Sequence, residues 1–209
     1  YQASGAYGFR DQLQDSLSFL LTRSEIAREQ LLRAASRQFV EGDFQHWWLP
    51  ETGAGVRTRI SDDMVWLANC VSQFLIVTGD TSILDVQIPF IEGQQLEHGA
   101  HDAFFVPSIS DESDTLYEHC ARALDRSLPQ GAHGLPLLGT GDWNDGMNRV
   151  GEGGKGESVW LGWFLLSTLK AFIPVAEKRK DKARATAWKL RMTDLSASLE
   201  REGWDGGWY

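Results

Sequence analysis

The stretch GTGDWNDGMN, residues 139–148, sets two carboxylates, Asp142 and Asp145, around Trp143 and Asn144, with glycines on both sides. Glycines at 139, 141 and 146 oppose a helix and suit tight turns. A carboxyl on such a loop can pass a proton to a reacting group, and an indole beside it offers a flat apolar face to a ligand. A plainer reading uses the same residues: Trp143 fills a core while the aspartates bond the backbone of their own turn. Two long loops collect similar groups. Residues 42–63 hold His46, Trp47, Trp48, Arg57 and Arg59 together with acids, and residues 131–158 hold His133, Trp143, Asp145, Arg149 and Lys155. Indoles beside carboxylates and arginines suit carbohydrate, because a pyranose stacks its apolar face on an aromatic ring and bonds its hydroxyls to Asp, Asn and Arg.

Competing chemistries fit poorly. An EF-hand reading started at Asp142 puts Gly146 at the fifth ligand position and Gly153 at the twelfth. GEGGKGES, residues 151–158, lacks the spacing of a phosphate-binding P-loop and follows no apolar strand. The five histidines, His46, His98, His101, His119 and His133, form no HExxH, so no metal site is expected, and no GxSxG nucleophile motif is present. His119, in LYEHC, is expected to be a hydrogen-bonded core residue. With a net charge of −9 and no basic stripe, the chain is no candidate for nucleic acid. Cys70 and Cys120 sit in apolar helical segments and read as buried free thiols of a reducing compartment. No basic-then-apolar leader opens the sequence, and the longest apolar stretch, 159–169, is short for a bilayer span. A cytoplasmic location is expected, either free or as the cytoplasmic domain of a larger inner-membrane protein.

The elements that must position these loops read as helices. Apolar spacing and caps predict helices over 9–22, 24–40, 61–80, 111–128, 156–180 (interrupted at Pro174) and 181–201. Short connections alternate with long ones, as in helical hairpins whose long loops share one rim. The expected fold is therefore all-α, part of an α/α barrel, with the site at the loop rim. Both ends of the chain, YQASGAYGF and GWDGGWY, look cut, so the 209 residues are expected to be a fragment of one catalytic domain, completed by the remainder of a parent polypeptide.

SGAYGFRDQLQDSL, RQFVEGDFQHWW, GVRTRISDDMVWL, TLYEHCARALDRSL and the block from GAHGLPLLGTGDWNDG to WLGWF occur in one order along nearly the whole chain. Together they resemble the cellobiose and chitobiose phosphorylases of glycoside hydrolase family 94, and look most like the phosphorylase-like domain of cyclic β-1,2-glucan synthases. The resemblance implies an (α/α)6 barrel and inverting phosphorolysis, or the reverse synthesis, of β-glucosidic bonds in a β-glucan, with inorganic phosphate as co-substrate and no other cofactor. It implies that Asp145 is the general acid, that Trp143 packs beside the reacting sugar, and that Arg10 and Asp15 hydrogen-bond the same sugar. Asp142 and Asn144 would brace the loop; Arg57, Arg59 and Asp63 match a family block without an assigned role. The family's phosphate-binding His and Thr-Gly pair are expected beyond residue 209. The alternatives are a non-catalytic carbohydrate-binding or scaffold module, and an α/α-barrel glycosidase, which needs a second carboxylate roughly 6.5–9.5 Å from the acid. Expressed alone, these 209 residues are expected to show no phosphate-dependent turnover on β-glucosides; measurable phosphate uptake would put the phosphate ligands within them.

Overall fold

The computed structural model describes residues 5–209; Ser4, which opens the SGAYGF block, and the three residues before it lie outside the described residues. Six α-helices are present: α1 (Phe9–Leu17), α2 (Ser24–Ala35), α3 (Asp63–Thr78), α4 (Leu116–Ser127), α5 (Val159–Lys178) and α6 (Lys182–Glu202). Six strands join them: β1 (Tyr7–Gly8), β2 (Gln45–Trp48), β3 (Gly55–Thr58), β4 (Gln87–Glu92), β5 (Asp102–Phe105) and β6 (Ser108–Thr115). The fold is mixed α/β, which overturns the all-α, part-barrel expectation. Strands β2 to β5 occupy stretches taken for long loops, β1 precedes the first helix, and β6 runs into the stretch 111–128 taken for a helix. They pair into an antiparallel sheet in the order β1-β2-β3-β5 and a two-stranded β4-β6 ribbon.

The physical reason is length and polarity. Strands of two to four residues, such as QHWW and GVRT, are too short for a period of two to register. SISDESDT is polar, and its acids look like the first turn of a helix. Those acids instead lie in β6, whose only well-buried residue is Ser110 and which is held by backbone pairing to β4 from Gln87↔Thr115 to Glu92↔Ser108. The helix starts at Leu116, where the Thr115 hydroxyl accepts from the Glu118 N–H at 3.2 Å, the usual bond of a helix N-cap.

The helices pack in sequential pairs around α3, which touches α1, α2, α4 and α5. Phe9 and Leu13, Leu31, Leu67 and Phe74, Cys120 and Leu124, Leu165 and Phe172, and Trp188 form one continuous buried core. In α5 the helix runs through Pro174 to Lys178, so the proline does not interrupt it. It is the one helix among the described residues long and apolar enough to cross a membrane, and its Leu165, Leu169 and Phe172 face packs in the core. Gly162 lets α6 approach closely: a Cβ there would stand 2.8 Å from Leu199 Cδ2. Both cysteines are free and buried, and burial pushes the Cys70 thiol up to about 12.

His119 is a core residue. It is fully buried on α4, stacks on Phe90 at 4.0 Å between ring centres, and bonds through Nε2 to the Ile88 carbonyl at 3.0 Å. Burial lowers its proton affinity to about 4, so the neutral ring is the folded form. A histidine ordinarily near 6.5 when unfolded takes up a proton on unfolding, so stability is full above that value and falls as pH drops toward 4. Between about pH 7 and 5 this residue alone is expected to cost about 2 kcal/mol. Denaturant unfolding at both pH values, wild type against His119→Gln, measures it; an equal pH dependence in the two proteins would contradict the assignment.

Candidate active site

The site forms where α1 and α3 begin and the 139–158 loop crosses them. The loop is pinned from below by the chain entering α3. The Ser61 N–H donates to the Gly141 carbonyl at 2.9 Å, the Ser61 hydroxyl donates to the Leu138 carbonyl at 2.9 Å, and the Thr140 N–H donates to the Arg59 carbonyl at 3.1 Å. Gly139 has a φ of +65°, and a Cβ there would collide with the Arg59 carbonyl oxygen. Only glycine fits this crossing. Asp142 is buried and braces the loop from the other side. One of its oxygens accepts from the Asn144 N–H at 2.8 Å and side-chain amide at 3.1 Å. The other accepts from the Ser158 hydroxyl at 2.5 Å, and Ser158 in turn caps α5 by accepting from the Leu161 N–H at 2.9 Å. The first aspartate of DWND thus fixes the loop to a helix end.

Arg10, in the first turn of α1, is 5% exposed and is the centre of the charge network. Its Nη1 donates to Asp62 Oδ1 at 3.2 Å and Oδ2 at 3.3 Å and to the Asp142 carbonyl at 2.7 Å; its Nη2 donates to Asp145 Oδ1 at 2.5 Å. Asp62 also accepts from Trp66 Nε1 at 2.8 Å, and the adjacent Asp63 pairs with His46 Nδ1 at 2.8 Å. His46 sits at an irregularity in the β2-β3 pairing, between Gln45 and Trp47. Breaks of that kind re-aim a side chain. Burial works against the Arg10 charge, but Asp62, Asp145 and Asp63 outweigh it and hold the guanidinium above the usual arginine value. Burial and then the Asp63 charge push the Asp62 carboxyl up to about 6, against the pull of Arg10 and the Trp66 N–H. Two neighbouring carboxylates share one guanidinium, so Arg10 stays cationic while Asp62 still bears a charge cost. His46 is lowered by burial and raised by Asp63, with a net rise above the ordinary histidine value.

Trp143 lies beside this network. The Arg10 guanidinium carbon is 5.0 Å from its ring centre, within cation–π reach. The Trp66 ring is 6.0 Å away, tilted by 55°. The indole remains 41% exposed and the Asp145 side chain 67% exposed, so both present a free face above buried supports. The structure therefore brings Arg10, Trp143 and Asp145 together. It does not bring Asp15 to them: that residue is exposed further along α1, lining a shallow groove against α2 with Gln12, Glu29 and Arg33. Arg57 and Arg59 bind the protein itself. Arg57 forks onto Asp43 with two 2.7 Å bonds, meets Glu41 at 3.0 Å and covers Phe39. Arg59 reaches the carbonyls of Leu96, Glu97 and Ala100. A cavity of about 640 Å³ lies among Arg57, Ser61, Gly139 and Leu161, and Asp145 does not line it. The exposed groups capable of proton transfer and stacking, Asp145 and Trp143, are not among the residues that line it, and they define the candidate site.

Asp62, Trp66 and the pairing of Asp63 with His46 are parts of the site that sequence reasoning does not single out. Their signal is the double acid before an apolar helix, which reads equally well as a helix start.

An exposed carboxylate on a braced loop thus stands over a buried arginine, with an indole flanking both. The chain belongs to the glycosyl hydrolase 94 superfamily, whose catalytic domain matches residues 1–209. It is 60% identical to the cyclic beta-(1,2)-glucan synthase NdvB of Rhizobium meliloti (strain 1021), covering 100% of this chain and 7% of that protein. It is 33% identical to the 3-O-beta-D-glucopyranosyl-beta-D-glucuronide phosphorylase of Paenibacillus borealis, over 96% of this chain and 24% of that enzyme. It is 28% identical to the 1,2-beta-oligoglucan phosphorylase of Listeria innocua serovar 6a, over 88% of this chain and 17% of that enzyme. The chain thus spans a quarter or less of the length of these relatives.

If Trp143 stacks on sugar, Trp143→Ala is expected to raise KM for the glucoside and lower kcat together, because the ring holds the reacting geometry. Thermal unfolding set beside calorimetric sugar binding separates this from packing; a folded variant with unchanged affinity would return Trp143 to a structural role.

Proposed function

We propose that this domain cleaves β-glucosidic bonds by inverting phosphorolysis, or forms them in the reverse direction, on a β-1,2-linked glucan. Its substrates are a β-glucan oligosaccharide and inorganic phosphate, with no further cofactor, and its place is the cytoplasm, as one domain of a larger polypeptide. The observation that carries the reading is the pairing of exposed Asp145 with buried Arg10 beside the open face of Trp143. Membership of the family and the likeness to a glucan synthase and to several phosphorylases support it.

In this reading Trp143 stacks on the glucose ring and Arg10 donates to its hydroxyl oxygens. Asp145 gives its proton to the departing glycosidic oxygen as that bond to the anomeric carbon breaks. A phosphate oxygen bonds to the same carbon from the opposite face, and the configuration inverts. The Arg10 guanidinium, already in contact with Asp145 at 2.5 Å, favours the carboxylate that proton transfer leaves. Such a charge-assisted bond is among the stronger ones a protein makes. A water-using glycosidase needs a second carboxylate as base, and the neighbouring acids are engaged elsewhere. Asp142 holds Asn144 and Ser158, Asp62 holds Arg10 and Trp66, and Asp63 holds His46. This disfavours the glycosidase reading.

Asp145→Asn is expected to lower phosphorolysis of sugar and alkyl glucosides by about 10² to 10⁴, the usual contribution of a general acid. Asp142→Asn is expected to cost less activity and more stability, since it unpins the loop from α5. Run in the phosphorolytic direction on a dinitrophenyl β-glucoside, whose leaving group needs little protonation, the Asp145 variant should lose far less. Equal, mild losses in both variants on every substrate would remove Asp145 from the acid's role.

A further inference from the structure

We propose that Asp62 is a positioning residue, fixing the sugar platform Trp143 and the acid Asp145 together through Trp66 and Arg10; the proposal rests on the carbohydrate reading above. Asp62 occupies the N-cap position of α3, where an aspartate ordinarily accepts from a backbone N–H two or three residues on. Its side chain makes no such bond. The residue is wholly buried, and its carboxylate turns inward to Arg10 Nη1 and Trp66 Nε1. A helix-capping role therefore does not explain it.

What its two partners support does. The Arg10 guanidinium carbon stands 5.0 Å from the Trp143 ring centre, and the Trp66 ring stands 6.0 Å from the same ring. Trp143 therefore has two supports with one shared anchor. The second nitrogen of the same guanidinium fork reaches Asp145. Because that fork is planar and rigid, the orientation that Asp62 imposes on Arg10 is passed to the acid. Without the Asp62 charge, Arg10 keeps only Asp145 and the Asp142 carbonyl, and the Trp66 indole loses the bond that sets its tilt. The two buried aspartates divide the work: Asp142 fixes the loop's path, and Asp62 fixes the groups its exposed face meets.

The test is a double-mutant cycle read as affinity for a β-1,2-linked glucose disaccharide, by calorimetry on the whole protein, with thermal unfolding of each variant. Asp62→Asn is expected to weaken binding about tenfold or more, the worth of a hydrogen bond to a charged group. Combined with Trp143→Ala it should add little to the loss from Trp143→Ala alone, because both changes remove one platform. Trp66→Phe keeps the ring packing and removes only the N–H. It should weaken binding less, again without adding to Trp143→Ala, and it carries the test if Asp62→Asn does not fold. Fold-losses that simply multiply in the cycle, or full affinity in Asp62→Asn, would overturn the role of Asp62 and leave the carbohydrate reading standing. A wild-type protein that does not bind the disaccharide would overturn that reading and this inference with it.

Discussion

A guanidinium buried at the start of α1 must have anionic partners, and the site is arranged around meeting that demand. Removing one partner of a buried ion pair typically costs about 3–5 kcal/mol, because the remaining charge is left without water or counter-charge. Asp62 answers from the head of α3, and Asp145 answers from the loop. The Asp142 carbonyl adds a third bond from the same loop. Two segments distant in sequence, the head of α3 and the loop, therefore converge on one side chain of α1. The indole of Trp143 shares the same supports, so the indole and the Asp145 carboxyl are set relative to one another by Arg10.

The loop can meet Arg10 only if its backbone takes a narrow path. Gly139 passes over the Arg59 carbonyl with no room for a side chain, and Gly151 passes as closely over the Gly139 carbonyl. Ser61 holds the loop to the chain entering α3, and the Asp142–Ser158 bond holds it to the head of α5. The α5 cap and the 139–158 loop are built from the same hydrogen bonds, so substitutions at Asp142 or Ser158 act on both. Glu157 does comparable work one residue earlier, accepting from the His133 and Leu135 N–H groups and closing the turn that leads toward the loop.

Much of this was legible in the sequence, and the rest was hidden for definite reasons. The six helices follow from apolar spacing and caps, because burying a long stripe imposes a period that a single sequence displays. Asp142 as a loop brace was implied by the family resemblance, and His119 as a core residue and the two free thiols were legible from residue type and context. The sheets were not, because strands as short as QHWW and GVRT carry no period, and β6 is held by backbone bonds that polar side chains do not advertise. Asp62 was hidden by ambiguity: an aspartate before an apolar helix reads as a cap, and only its inward rotamer reveals the contact with Arg10. Arg57 and Arg59 were hidden in the opposite sense. Their spacing suggests a ligand site, whereas their partners Asp43, Glu41 and the 94–100 carbonyls are brought close only by the fold.

The proposed mechanism, in which an acid on the loop and a phosphate nucleophile together open a β-glucosidic bond with inversion, requires a definite product. Phosphorus NMR on the whole protein, supplied with β-1,2-linked glucan oligosaccharides and inorganic phosphate, identifies it. Phosphate should disappear in step with glycosidic bonds, and the new signal should be a glucose 1-phosphate of α configuration. Free glucose released at the same rate with and without phosphate, or a sugar phosphate of β configuration, would contradict this mechanism.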